Sequence, residues 1–140
     1  MKLLCSIFFI LYTYTSVYAQ KNIISATFQP TDLGYGIRYD RLFKDFGLYS
    51  GLTRGEYRVD EFYIKDHYKV AFGVTTPIDD SYLSIGLSCH KYGAIYGDFC
   101  KALSPVSFEV GAGVFLGRFN VAFRMDFLKG EGCVDFGIKL

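Results

Sequence analysis

An all-β fold is what this chain predicts: a closed barrel of eight antiparallel strands in up-and-down order, spanning a membrane and preceded by a signal peptide. Three observations carry that expectation. The first is an alternation of period two, which sends successive side chains to opposite faces of a strand. In Phe119-Asn120-Val121-Ala122-Phe123-Arg124-Met125-Asp126-Phe127 every odd position is apolar and every even one is small or polar, and Val134-Asp135-Phe136-Gly137-Ile138-Lys139-Leu140 repeats the pattern with the opposite parity. The second is the content of the polar phase. It holds Gly34, Gly36, Gly47, Gly51, Gly73, Gly86, Gly111, Gly113 and Gly137, poor strand formers that make sense where space is short. A polar face without room is the inside of a narrow barrel, so the apolar, aromatic face is the outside and needs lipid. The third is the rhythm of the connections, in which short turns alternate with segments that include the two longest.

The elements follow in order. Lys2, an apolar run from Leu3 to Leu11 and the ending Val17-Tyr18-Ala19-Gln20 have the layout of a secretory signal peptide. The run is about half of the ~20 apolar residues that a membrane-spanning helix takes. Residues 1–19 are therefore expected to be the signal peptide and 20–140 the single barrel domain. Strand one is expected near Ile23 to Phe28 and, after Pro30-Thr31-Asp32, strand two from Leu33 to Leu42. Lys44-Asp45 turns into strand three, Phe46 to Arg54, where Ser50 interrupts the apolar face. A charged connection from Gly55 to His67 leads to strand four, Tyr68 to Thr75.

Pro77-Ile78-Asp79-Asp80 reads as a turn, because Pro and Asp favour bent backbone and Pro gives no amide to a ladder. Strand five runs from Ser81 to Cys89, and His90 to Ser104 is the longest connection. Strand six, Val106 to Phe115, turns through Leu116-Gly117-Arg118 into strand seven, and Lys129-Gly130-Glu131-Gly132 turns into strand eight. Eight strands over residues 20–140 leave about 15 residues each, enough for a tilted spanning strand of ~9–11 and its connection. By strand parity both long connections leave at one end, the arrangement of barrels with short periplasmic turns and longer surface loops.

At this level of pattern the chain resembles the small eight-stranded outer-membrane barrels of Gram-negative bacteria, the OmpA/OmpX type. The resemblance rests on the signal peptide, the eight alternating segments and the terminal Val134-x-Phe136-x-Ile138-x-Leu140, and it covers the whole of 20–140. It implies an outer-membrane location and insertion by the barrel-assembly machinery. In that family the last strand usually ends in Phe, where this chain has Leu140.

Composition leaves few other classes. Lys and Arg number 15 against 14 Asp and Glu, and losing Lys2 with the signal peptide makes them equal, so nothing suggests nucleic acid, whose binding needs excess positive charge. The 19% of aromatic residues, without Trp, fits a lipid-facing belt of Phe and Tyr.

The inward phase is expected to hold Arg38, Lys69, Arg124 and Lys139 against Asp40, Glu109, Asp126 and Asp135. The signs balance, and because an eight-stranded interior is only wide enough for side chains, these groups should pair into a closed structural core rather than line a conducting path. His67 and His90 sit near expected strand ends and lack a third ligand at a recognised metal spacing, so they read as solvated loop residues. No cofactor is expected, and no Ser-His-acid set or phosphate loop points to catalysis. Cys89 and Cys100 flank most of the longest loop and could staple it, with free thiols the equal alternative, since Cys133 makes the count after the signal odd.

The function that follows is a small non-enzymatic outer-membrane barrel whose partner is membrane lipid and whose surface loops carry any binding. The exposed loop candidates are Arg58, Asp60, Glu61, Tyr63, Lys65, His90, Tyr92, Tyr96, Asp98 and Lys101. Two alternatives stand beside it: a soluble exported lipocalin-like barrel with an apolar cavity, and a lipid-modifying barrel enzyme with a polar cluster at one rim.

Overall fold

The computed structural model describes residues 21–59, 62–91 and 106–140. They form eight strands: β1 Lys21–Gln29, β2 Gly34–Leu42, β3 Gly47–Val59, β4 Phe62–Ile78, β5 Ser81–Lys91, β6 Val106–Leu116, β7 Phe119–Asp126 and β8 Glu131–Lys139. Each pairs antiparallel with its neighbour in sequence, and β1 pairs with β8, so the sheet closes into a barrel. Closure of β1 on β8 removes the two free edges that an open sheet would have. The helical element among the described residues is one 3-10 turn, Pro30–Asp32.

One end of the barrel, here the turn end, carries the connections at Phe43–Phe46, Asp79–Asp80 and Gly117–Arg118. The other, the loop end, carries Pro30–Asp32, the end of β5 and the start of β6, and the turn after Asp126, and β3 and β4 run on past it toward Val59 and Phe62.

The faces are as the alternation predicts. Ile24, Phe28, Ile37, Leu52, Val70, Phe72, Leu83, Ile85, Phe108, Phe123, Phe136 and Ile138 are exposed on the outside, whereas polar and charged side chains outnumber apolar ones inside. Several glycines are where they are because the interior is crowded. A Cβ on Gly113 would strike the Tyr82 ring, and one on Gly73 or Gly86 would strike Tyr49. Gly51 differs, since a Cβ there would meet only ordinary contacts.

The boundaries differ from expectation in several places, among them β5, which runs on through His90 to Lys91 where a connection was expected. The segment Gly55 to His67, expected as a loop, is strand as far as it is described: Gly55 pairs with His67, Tyr57 with Ile64 and Val59 with Phe62, after a register shift between Gly55 and Tyr57. The β2–β3 ladder ends at Tyr35–Arg54, so on its β2 side this hairpin projects beyond the rim. Pro77 and Ile78 belong to β4, opposite Tyr82 and Ser81, and the turn is the Asp79–Asp80 pair alone. There Asp79 takes the left-handed conformation that a two-residue hairpin turn requires, φ +50°. Strand eight starts at Glu131, inside the expected turn Lys129 to Gly132, and its first residues pair with the end of β7.

Inside, the barrel is filled in tiers. At the turn end Ile23, Leu42, Tyr82, Phe115 and Ala122 form an apolar plug. Arg38, Asp40, Glu109, Arg124 and Asp135 fill the middle, and His67, His90, Asp126 and Glu131 lie toward the loop end, all of them buried.

Candidate functional site

The polar interior is the candidate site, and its centre is Arg124. From β7 its guanidinium donates from Nε and Nη2 to the two oxygens of Asp135 on β8, at 2.6 and 2.8 Å. Nη1 reaches Glu109 Oε1 on β6 at 2.7 Å. Thr27 on β1 donates to the same Asp135 carboxylate at 2.5 Å. Arg38 is held in parallel fashion by Asp40, 2.7 Å from Nε and 2.5 Å from Nη2, stands 3.5 Å from Asp135 and lies over the Tyr49 ring at 4.1 Å. Lys69 on β4 reaches Glu109 at 3.0 Å and Asp126 at 3.5 Å. Such planar two-bond pairs are the strongest geometry available to a guanidinium, and a buried charge needs such partners.

Of the eight residues expected in the interior charge set, Arg38, Asp40, Lys69, Glu109, Arg124, Asp126 and Asp135 are buried there. Lys139 shares their phase but sits half-buried at the turn-end rim, 6.0 Å from the centre of the Phe115 ring. The balance of four against four therefore does not describe the core. Lys139 leaves it at one end, and Glu131, assigned to a turn by the sequence reading, enters it at the other.

The histidines are the larger correction. His67 and His90 are not solvated loop residues; they are 2% and 6% exposed. Their rings meet edge to edge, with centres 5.2 Å apart and planes 9° from parallel, and His67 Nε2 lies 2.9 Å from His90 Nδ1. His90 Nε2 faces the Asp126 carboxylate at 3.0 Å, and Ser88 and Ser107 both donate to Asp126. Glu131 accepts from Gln29 Nε2 at 2.8 Å.

Ser88, His90 and Asp126 bring together the residue types of a hydrolase, but the geometry is not that of a relay. A triad needs the acid on one imidazole nitrogen and the hydroxyl on the other. Here Ser88 Oγ, at 3.0 Å, and Asp126 Oδ2 converge on the same Nε2, and Ser88 donates its hydrogen to Asp126 at 2.6 Å.

Among the loop candidates, Arg58 and Tyr63 face each other in the β3–β4 ladder. Their side chains and that of Lys65 lie outside the described residues, as do Asp60, Glu61, Tyr92, Tyr96, Asp98, Lys101 and the Cys100 half of the proposed disulfide. Cys89 is exposed on β5 and Cys133 is buried beside Gln29 and Lys69. The sequence reading missed Gln29, Thr27, Tyr49, Tyr82, Glu131 and Cys133 as interior groups. The inward parity of β8 extended backwards from Asp135 gives Cys133 and Glu131, and that of β5 extended forwards from Ser88 gives His90.

Scans of protein-family models, curated proteins and solved structures each return no match for this chain.

Proposed function

We propose that this chain is a small outer-membrane β-barrel of a Gram-negative bacterium, exported by a cleaved signal peptide, with a closed polar core and a loop end that carries its binding. The observation behind this reading is the inversion of the two faces: the interior is filled by hydrogen-bonded charge and the exterior by large apolar side chains. Large apolar patches on a water-exposed surface mark an interaction site or a membrane, and here the apolar face runs around the barrel. Among the described strand residues the exposed charges Arg54, Glu56 and Lys91 keep to the loop-end rim. At the loop rim Phe28 and Tyr35 stand side by side, with Arg54 lying 5.6 Å over the Tyr68 ring. Aromatic girdles with adjacent basic groups suit a lipid headgroup region.

A lipocalin-like carrier would need an apolar cavity, whereas the centre of this interior is occupied by Arg38, Arg124 and their carboxylates, which favours the membrane reading. The enzyme alternative lacks support in the Ser88–His90–Asp126 geometry.

The test is fractionation with and without detergent, together with heat-modifiable gel mobility. The chain should be found with outer membranes, require detergent for extraction and migrate differently before and after boiling. Phe123→Arg, on the outside near mid-strand, should cost about 2–4 kcal/mol of folding free energy in lipid, while Ala122→Ser, one residue away and facing inward, should be nearly silent. A chain that stays soluble without detergent, and in which Phe123→Arg folds normally, would sink the proposal.

A further inference from the structure

The His67–His90–Glu131 cluster has the donors of a metal centre. One ligand atom from each lies within 4.8 Å of the others, and all three residues are buried. They come from β4, β5 and β8, so barrel closure itself assembles them. Paired strands 4 and 5 set the two imidazoles side by side, and the β7–β8 turn brings Glu131 to the same end.

The surrounding hydrogen bonds orient the donors. Asp126 only accepts, so a neutral His90 presents its hydrogen from Nε2 to that carboxylate and leaves the Nδ1 lone pair pointing at His67. Carboxylate, imidazole and metal in that order is the usual outer support of a metal-bound histidine. Asp126 is itself fixed by Ser88 and Ser107, and Glu131 by Gln29. Lys69, 3.5 Å from Asp126, is shared with Glu109 at 3.0 Å.

We infer that His67 Nε2, His90 Nδ1 and a Glu131 carboxylate oxygen bind a divalent ion of the zinc type inside the loop end of the barrel. Two imidazoles and one carboxylate suit zinc and its late first-row neighbours better than magnesium or calcium, which take oxygen ligands. Tetrahedral bonds of ~2.0–2.1 Å place two nitrogens about 3.3 Å apart with their lone pairs converging on the ion, so the two rings, which meet head-on at 2.9 Å, must both tilt and open to admit it. The ion takes the place of the hydrogen between the rings, and His67 passes to its Nδ1–H tautomer, so no net proton is lost from the pair. Three protein ligands leave a fourth position for water.

The chain contains two histidines in all, which makes the test unusually direct. The full chain, folded in detergent with a histidine-free tag, is titrated with Zn2+ by calorimetry and with Co2+ by visible absorption, and the zinc-loaded form is examined by X-ray absorption. Expected are one saturable equivalent, a four-coordinate nitrogen and oxygen Co2+ spectrum, and imidazole scattering from the zinc. His90→Ala and Glu131→Gln should each weaken binding by about tenfold or more. Absence of saturable binding, thiolate coordination without imidazole, or unchanged affinity in both folded variants would overturn the site. If a variant does not fold, imidazole scattering in the unsubstituted protein decides alone.

Discussion

Arg124 and Asp135 form the central joint of the barrel: both carboxylate oxygens accept from one guanidinium, at 2.6 and 2.8 Å, on neighbouring strands β7 and β8. Both are fully enclosed, so neither can fall back on water if the other is removed. Asp135→Asn should therefore destabilise the folded barrel by about 3–5 kcal/mol, the cost of leaving a buried partner uncompensated. Replacing both, as Arg124→Met with Asp135→Leu, should cost less than the two single changes added together. Urea unfolding in micelles, run as a double-mutant cycle, reads the coupling; additive effects would show that the pair does not act as a unit.

Gly113 and Tyr82 are a second couple, this time of shape. The Tyr82 ring occupies the space that a side chain at 113 would fill, and its hydroxyl accepts from Asn120 at 3.0 Å. Gly113→Ala should cost about 1–3 kcal/mol by overpacking. Adding Tyr82→Ser should return much of the loss caused by the clash, so that the double variant is more stable than the two single effects predict. If Gly113→Ala alone is silent, the ring has room to move and the glycine phase is not enforced by crowding.

The filled interior also predicts electrical silence. The turn-end plug of Ile23, Leu42, Tyr82, Phe115 and Ala122 lies in line with the Arg38 and Arg124 pairs, and conduction needs a water-filled lumen wider than eight strands enclose. Purified barrel in a planar bilayer should give no steady current. A reproducible open state whose selectivity changes with Glu109→Ala would contradict a closed core.

Much of this was legible from side-chain alternation alone, because a closed barrel forces every strand to choose one inward parity. Arg38, Asp40, Lys69, Glu109, Arg124, Asp126 and Asp135 were all placed by parity. What failed was the length of the strands. Around Glu131 the sequence Lys129-Gly130-Glu131-Gly132 looks like a turn, since its glycines and charges hide an alternation that continues through Cys133 into Asp135. Gly55 to His67 hides in the same way: its charges suggested a loop, but Tyr57, Val59, Phe62 and Ile64 are good strand formers and a hairpin beyond the rim needs no apolar face. His67 and Glu131 lie in these hidden extensions and His90 in the unforeseen end of β5, so their meeting could not be read until the strands were given their full length. Lys139 shows the converse limit, because parity fixes the face but not the depth.

The projecting β3–β4 hairpin supplies the last prediction. From Gly55 and His67 outward its described ladder is made within the hairpin, so removing residues 57–65 and closing the gap with a short turn should leave the barrel ladder intact. His67 and Arg54 must be kept, since the first lines the interior and the second pairs with both Tyr35 and Tyr68. The shortened chain should fold in micelles, keep its heat-modifiable mobility and lose any surface binding carried by Arg58, Asp60, Glu61, Tyr63 or Lys65. Protease added to intact cells should cut the full-length chain in this segment and spare Arg118, because Gly117–Arg118 lies at the opposite end, and exposed tips are where cleavage concentrates. Cutting at Arg118 instead would reverse the proposed orientation in the proposed membrane. Failure of the shortened barrel to fold would mean that the hairpin braces the loop end rather than extending from it.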